Sequence, residues 1–137
     1  MTDSNIDRFN ELAARILADL YRAFPLPRNL TCADYNITPV LNEQDQLDDA
    51  SQFFMATVRW LSASGYLRYD HENCVLVWDA VLTPKGLEAL CTVPEALAGQ
   101  PPLGERLNTA AIEGSKTLLA ETVKAVLAAG AARWFGG

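Results

Sequence analysis

Histidine is almost missing from this chain, with His71 the only one among 137 residues. A triad of nucleophile, histidine and acid would have to use His71, and nothing in its neighbourhood positions it. Cysteine is sparse too: Cys32, Cys74 and Cys91 are widely spaced and odd in number. His71 and Cys74 have an H-x-x-C spacing that Cys32 and Cys91 could complete, but no C-x-x-C pair supports a zinc site, so no metal is expected. No glycine-rich phosphate loop is present, since Gly99 and Gly104 flank Pro101-Pro102 rather than join a strand to a helix. Asp45, Asp48 and Asp49 cluster at a helix start, where capping explains them better than acid–base chemistry. No cofactor is therefore expected, and the chain reads as non-enzymatic.

Bases are scarce where a nucleic-acid reader would need them. Between residues 25 and 100 they are Arg28, Arg59, Arg68 and Lys85, against ten acids, in a chain of net charge −6. A binder of several phosphates draws its affinity from such bases, so nucleic acid is disfavoured as the partner. A secretory signal is also missing, because Met1-Thr2-Asp3-Ser4-Asn5 is polar and acidic. The expectation is a cytoplasmic protein whose three thiols are reduced and buried. The apolar run from Thr117 to Phe135 contains Glu121, Lys124 and Arg133, a poor fit to a transmembrane segment.

What is present is an ordinary globular composition, half of it apolar. Residues 4–24 read as a helix capped by Asp3 or Ser4. Its apolar face is Phe9, Leu12, Ala13, Ile16, Leu17, Leu20 and Phe24, and Pro25 and Pro27 end it. A short strand is expected over Asn29–Tyr35, and Asn36–Leu41 reads either as a loop or as a helical turn opened by Thr38-Pro39. A second helix ends at Ser64-Gly65, with Leu47, Phe54, Val58 and Leu61 on one face; its start is read either with Asp48 and Asp49 in the first turn or earlier, with Asn42 as cap. Tyr66–Tyr69 and Cys74–Trp78 form a hairpin around a turn at Asp70-His71-Glu72-Asn73. Thr83-Pro84 then caps a helix that buries Leu87 and Leu90.

The run Trp60-Leu61-Ser62-Ala63-Ser64-Gly65-Tyr66-Leu67, the hairpin, and Leu82-Thr83-Pro84-Lys85-Gly86-Leu87 resemble the second half of a winged-helix domain. Members of that superfamily often end the recognition helix with a leucine four residues before a glycine. A two-stranded wing and a leucine-threonine-x-x-glycine helix entry follow. With the first helix, the resemblance spans roughly residues 8–93. It implies an α+β fold: helices plus a two- or three-stranded wing, with 48–64 in the recognition-helix position. The chain departs from the pattern at residues 34–46, where Pro39 and a polar, acidic run leave a short or degenerate second helix.

Two apolar surfaces remain. Phe53, Thr57 and Trp60, spaced i, i+4, i+7, point about 100° away from the core-facing line of their helix. They read either as packed under a terminal helix or as an exposed aromatic anchor in a protein interface. Beyond a linker at 99–104, residues 105–137 read as one amphipathic helix. Its stripe is Ile112, Leu119, Val123, Val126, Leu127 and Gly130, continued by Trp134 and flanked by Leu118. Alanines around Gly130 would let a second helix approach closely. The stripe is expected to pair with a second copy or another protein; packing on its own domain and lying on a membrane surface are the alternatives.

The sequence therefore gives a winged-helix-like domain over 1–98 with an amphipathic C-terminal helical extension. The expected function is a protein-interaction or regulatory module, dimerising through its last helix. The alternative is a DNA-binding regulator of winged-helix type using Arg59, Arg68 and Lys85.

Overall fold

Ser4 opens the first helix. In the computed structural model, which describes residues 4–94 and 98–135 with side chains through 132, its hydroxyl accepts from the Asp7 amide at 3.1 Å. The Asp7 carboxylate accepts from the Ser4 amide in return, a reciprocal cap that satisfies two otherwise unpaired donors. Helix α1 then runs Asn5–Ala23. Its buried surface is wider than the expected stripe, because Asn10, Ala14 and Ala18 join Ala13, Ile16, Leu17 and Leu20 inside, while Phe24 is exposed.

Strand β1, Arg28–Thr31, carries Leu30 into the core. The strand expected over 29–35 stops early because Thr31 and Asp34 exchange side-chain and backbone hydrogen bonds, starting a 3-10 turn at Cys32–Tyr35. Local acceptors of this kind compete with the sheet ladder for the backbone. Among the described residues this turn is the only helical element between Thr31 and Asp48, and Thr38-Pro39 opens no helical turn. A loop held by a Leu41–Leu47 bridge leads to α2, Asp49–Ala63. Asp48 caps α2, accepting from both the amide and the hydroxyl of Ser51, and Gly65 takes φ +87° beyond its end.

Three short strands follow: β2 at Leu67–Arg68, β3 at His71–Glu72 and β4 at Leu76–Leu82. The expected turn at 70–73 is displaced. His71 and Glu72 pair with Trp78 and Val77, and the chain reverses after Asn73, whose side chain accepts from the Val75 amide. Asparagine makes this turn locally, and His71 gains a cross-strand stack on Trp78 at 4.4 Å between ring centroids. Strand β4 is central and antiparallel to its partners, with β1 on one side and β2 and β3 on the other. Thr83 caps α3, Pro84–Cys91. Cys32 alone of the thiols is buried; Cys74, at the hairpin reversal, and Cys91, ending α3, are exposed, contrary to expectation.

The C-terminal region is not one helix. Gly114, at φ +72°, ends α4, Leu103–Glu113, and α5 runs Lys116–Phe135. Leu103, Leu107, Leu119, Val123 and Val126 are fully buried, as α4 and α5 pack together and both close on α1 and α3. Each such side chain stabilises the fold by about 1.5–3 kcal/mol relative to exposure. A Cβ at Gly130 would overlap the Tyr66 ring. The Tyr66 hydroxyl donates to the Leu127 carbonyl at 2.6 Å. The small residues around Gly130 thus receive a tyrosine of the same chain, and Leu119, Val123 and Val126 of the stripe expected to pair between molecules lie inside, while Ile112 is 73% exposed. The fold is α+β, with five α-helices and a four-stranded antiparallel sheet among the described residues. None of the described helices is long and apolar enough to cross a membrane.

A chain truncated after Pro102 should consequently lose its cooperative thermal transition, since it uncovers the surfaces of α1 and α3 that α4 and α5 close on. A truncated chain that melts as sharply as the full one by circular dichroism would contradict this packing.

Candidate functional site

Helix α2 carries an uncovered apolar surface beside an aromatic cluster. Ser51, Phe54, Met55, Thr57, Val58 and Leu61 turn inward. The opposite side shows Asp49, Gln52, Ala56, Arg59, Trp60 and Ala63, with Phe53 half-buried at the boundary. Thr57 leaves the line expected of it: it is buried, and its hydroxyl donates back to the Phe53 carbonyl at 2.8 Å. Trp60 fits both expectations in part. One edge meets Phe9 of α1 in a T-shaped contact at 5.1 Å and its ring stacks near Tyr66, yet 47% of the residue stays exposed. The Arg8 guanidinium lies 4.2 Å over the Phe53 ring, a cation–π contact that holds it in place.

The first turns of α1 and the outer side of α2 enclose an open groove of about 380 Å³. Asn5, Ile6 and Phe9 form one wall, and Phe53, Ala56, Thr57 and Trp60 the other. Ile6 is 66% exposed, so two large apolar side chains face solvent across a furrow with little polar lining. A contiguous apolar patch of this kind is a signature of contact with another molecule. Phe53 and Ala56 also line a second, more polar groove on the far side of α2, bordered by Asp45, Asp49, Gln52 and Arg59.

The bases read as nucleic-acid contacts are mostly engaged. Arg59 donates through two nitrogens to one Glu72 oxygen, at 2.9 and 2.6 Å, while the Tyr69 hydroxyl holds the other oxygen at 2.6 Å. These bonds, Arg59 foremost, hold the Glu72 carboxyl below its ordinary range, and they fasten the hairpin to α2. Lys85 donates to the Ser64 carbonyl at 2.6 Å, at the end of α2, and lies 4.6 Å over the Tyr66 ring. Arg68 is exposed on β2.

Of the C-terminal residues, Leu119, Val123 and Val126 are buried within the chain, Leu127 is half-buried, and Leu118 is 42% exposed on the first turn of α5. The side chain of Trp134 lies outside the described residues. Ile6, Phe9 and Ala56 belong to the groove but were not singled out as site residues. Their signal was the i, i+3 spacing of Ile6 and Phe9 at the start of α1, which continues the apolar face past its expected edge. Among the described residues, no group of three or more His, Cys, Asp and Glu side chains is arranged to hold a metal ion. Comparison with protein-family models, curated proteins and solved structures yields no match.

Because the folded Glu72 carboxyl titrates below its unfolded value, its pairing stabilises the fold above that unfolded value and is lost as pH falls through the folded one. Glu72→Gln should therefore lower the Tm at neutral pH, with the gap to wild type closing on acidification. A gap that stays constant across the acid range would remove this role from Glu72.

Proposed function

We propose that this chain is a non-enzymatic, winged-helix-like module that binds a protein partner on the outer face of α2, with Phe53 and Trp60 as anchors. The order of helix, strand, helix, hairpin and helix over residues 5–91 is compatible with the winged-helix resemblance, and on that reading α2 is the counterpart of the recognition helix. The observation that carries the proposal is the apolar groove at that position, with a tryptophan half open to solvent. Interfaces place aromatic side chains at their centres, whereas a major-groove reader presents polar and basic ones. Arg59, the one base on the exposed side of α2, is tied to Glu72. Of the C-terminal stripe, Leu119, Val123 and Val126 are spent on the chain's own core, and among the described residues Ile112 and Leu118 are the large apolar members left exposed for contact with a second copy.

A photo-crosslinking residue in place of Gln52 tests this in the cells that make the protein. The expected result is a discrete protein adduct, absent when Ala56→Gln fills the groove. In parallel, a labelled mixed-sequence DNA duplex should show no saturable binding at about 50 mM salt, where phosphate contacts are strong. Duplex binding that weakens steeply with salt and is lost in Arg68→Ala would replace this proposal with the DNA-binding alternative.

A further inference from the structure

The groove beside Trp60 has an electrical asymmetry that bears on what fills it. From Asn29 to Val58 the chain contains no lysine or arginine, while Glu43, Asp45, Asp48 and Asp49 lie within it. Asp48 is occupied as a cap, accepting from Val40 and Ser51. Asp45 and Asp49 are exposed and border the second groove. That groove shares Phe53 and Ala56 with the apolar one, so a single ridge of α2 separates an apolar furrow from a carboxylate-lined edge. Arg59, on the same edge, is paired with Glu72 and does not offset these charges.

Resting on the reading of this face as a docking site, we infer that its occupant is a basic amphipathic helix of a protein partner. The furrow lies between two helices, the geometry into which a third helix lays its apolar side. Phe53 and Trp60 are seven residues apart, about 10 Å along α2, which matches two turns of a partner bearing apolar residues at i, i+4 and i+7. Lysine or arginine on one flank of that helix reaches over the ridge to Asp45 and Asp49. Long basic side chains suit this, since their stems cover apolar surface while their heads stay in water. A second copy of this chain, net charge −6, is the poorer match, because it brings like charge to an acidic edge.

The test uses the full chain and two synthetic helical peptides of about four turns, read by fluorescence anisotropy. Both carry leucines at i, i+4 and i+7; one has lysines along a single flank and the other has glutamates there. The lysine peptide should bind at least about tenfold more tightly, with a preference that shrinks as salt rises from about 50 to about 300 mM. Asp45→Asn with Asp49→Asn should erase the preference. Asparagine tolerates the left-handed backbone of Asp45, φ 59°, and Asp49 is not the helix cap. Ala56→Gln should weaken both peptides without disturbing the core. Equal binding of the two peptides overturns the basic-helix inference and leaves the docking face standing. Binding of neither, or binding indifferent to Ala56→Gln, overturns the docking face as well. A dimer of this chain that Ala56→Gln dissociates makes a second copy the occupant and also overturns the inference.

Discussion

The packing of α4 and α5 onto α1 is the constraint on which the other surfaces depend. α1 has small buried residues, Ala13, Ala14 and Ala18, and both C-terminal helices pack on it. Two tyrosines seat them. Tyr66 reaches across to the Leu127 carbonyl and fills the space at Gly130, and Tyr21 does the same at Gly104 while donating to Glu105. With its inner face covered along most of its length, α1 is fixed in orientation. Its first two turns lie beside α2, where exposed Ile6 and half-buried Phe9, which also packs against the core, form a wall of the groove.

The character of the α2 surface follows from that placement and from where the charges are tied. Phe9 gives Trp60 half a pocket, enough to orient the indole but not to cover it. Arg59 and Lys85 serve the fold, one clamping the hairpin and the other closing α2 at Ser64. What remains on this face is apolar surface with Arg8 stacked on Phe53 and a border of Asp45 and Asp49 on the second groove, which fits a cationic amphipathic partner better than a polyanion.

Locally determined features were legible in the sequence. The Ser4 and Thr83 caps, the prolines after α1 and the glycine after α2 each state a boundary within a few residues, whereas the start of α2 was open between Asn42 and Asp48 until the structure showed Asp48 as its cap. The missed features are those set by distant partners or by close local competition. Thr31 and Asp34 have the spacing of a reciprocal cap, but the surrounding β-prone residues favoured reading a strand. The hairpin turn shifted because His71 found Trp78 across the sheet. In the C-terminal region the apolar stripe announced that a face is buried, and periodicity carries no information on whether the cover comes from the same chain. Phe53 and Trp60 were picked out by spacing alone, while the groove they line required knowing where α1 lands.

Amide hydrogen exchange in α5 measures the central claim most directly. Amides from Leu119 to Leu127 should exchange with the same opening free energy as Leu17 and Leu61, by global unfolding, at every protein concentration. Exchange of that segment through a separate, lower-energy opening, or protection that fades on dilution, would mean that α5 is held by another molecule and not by its own core.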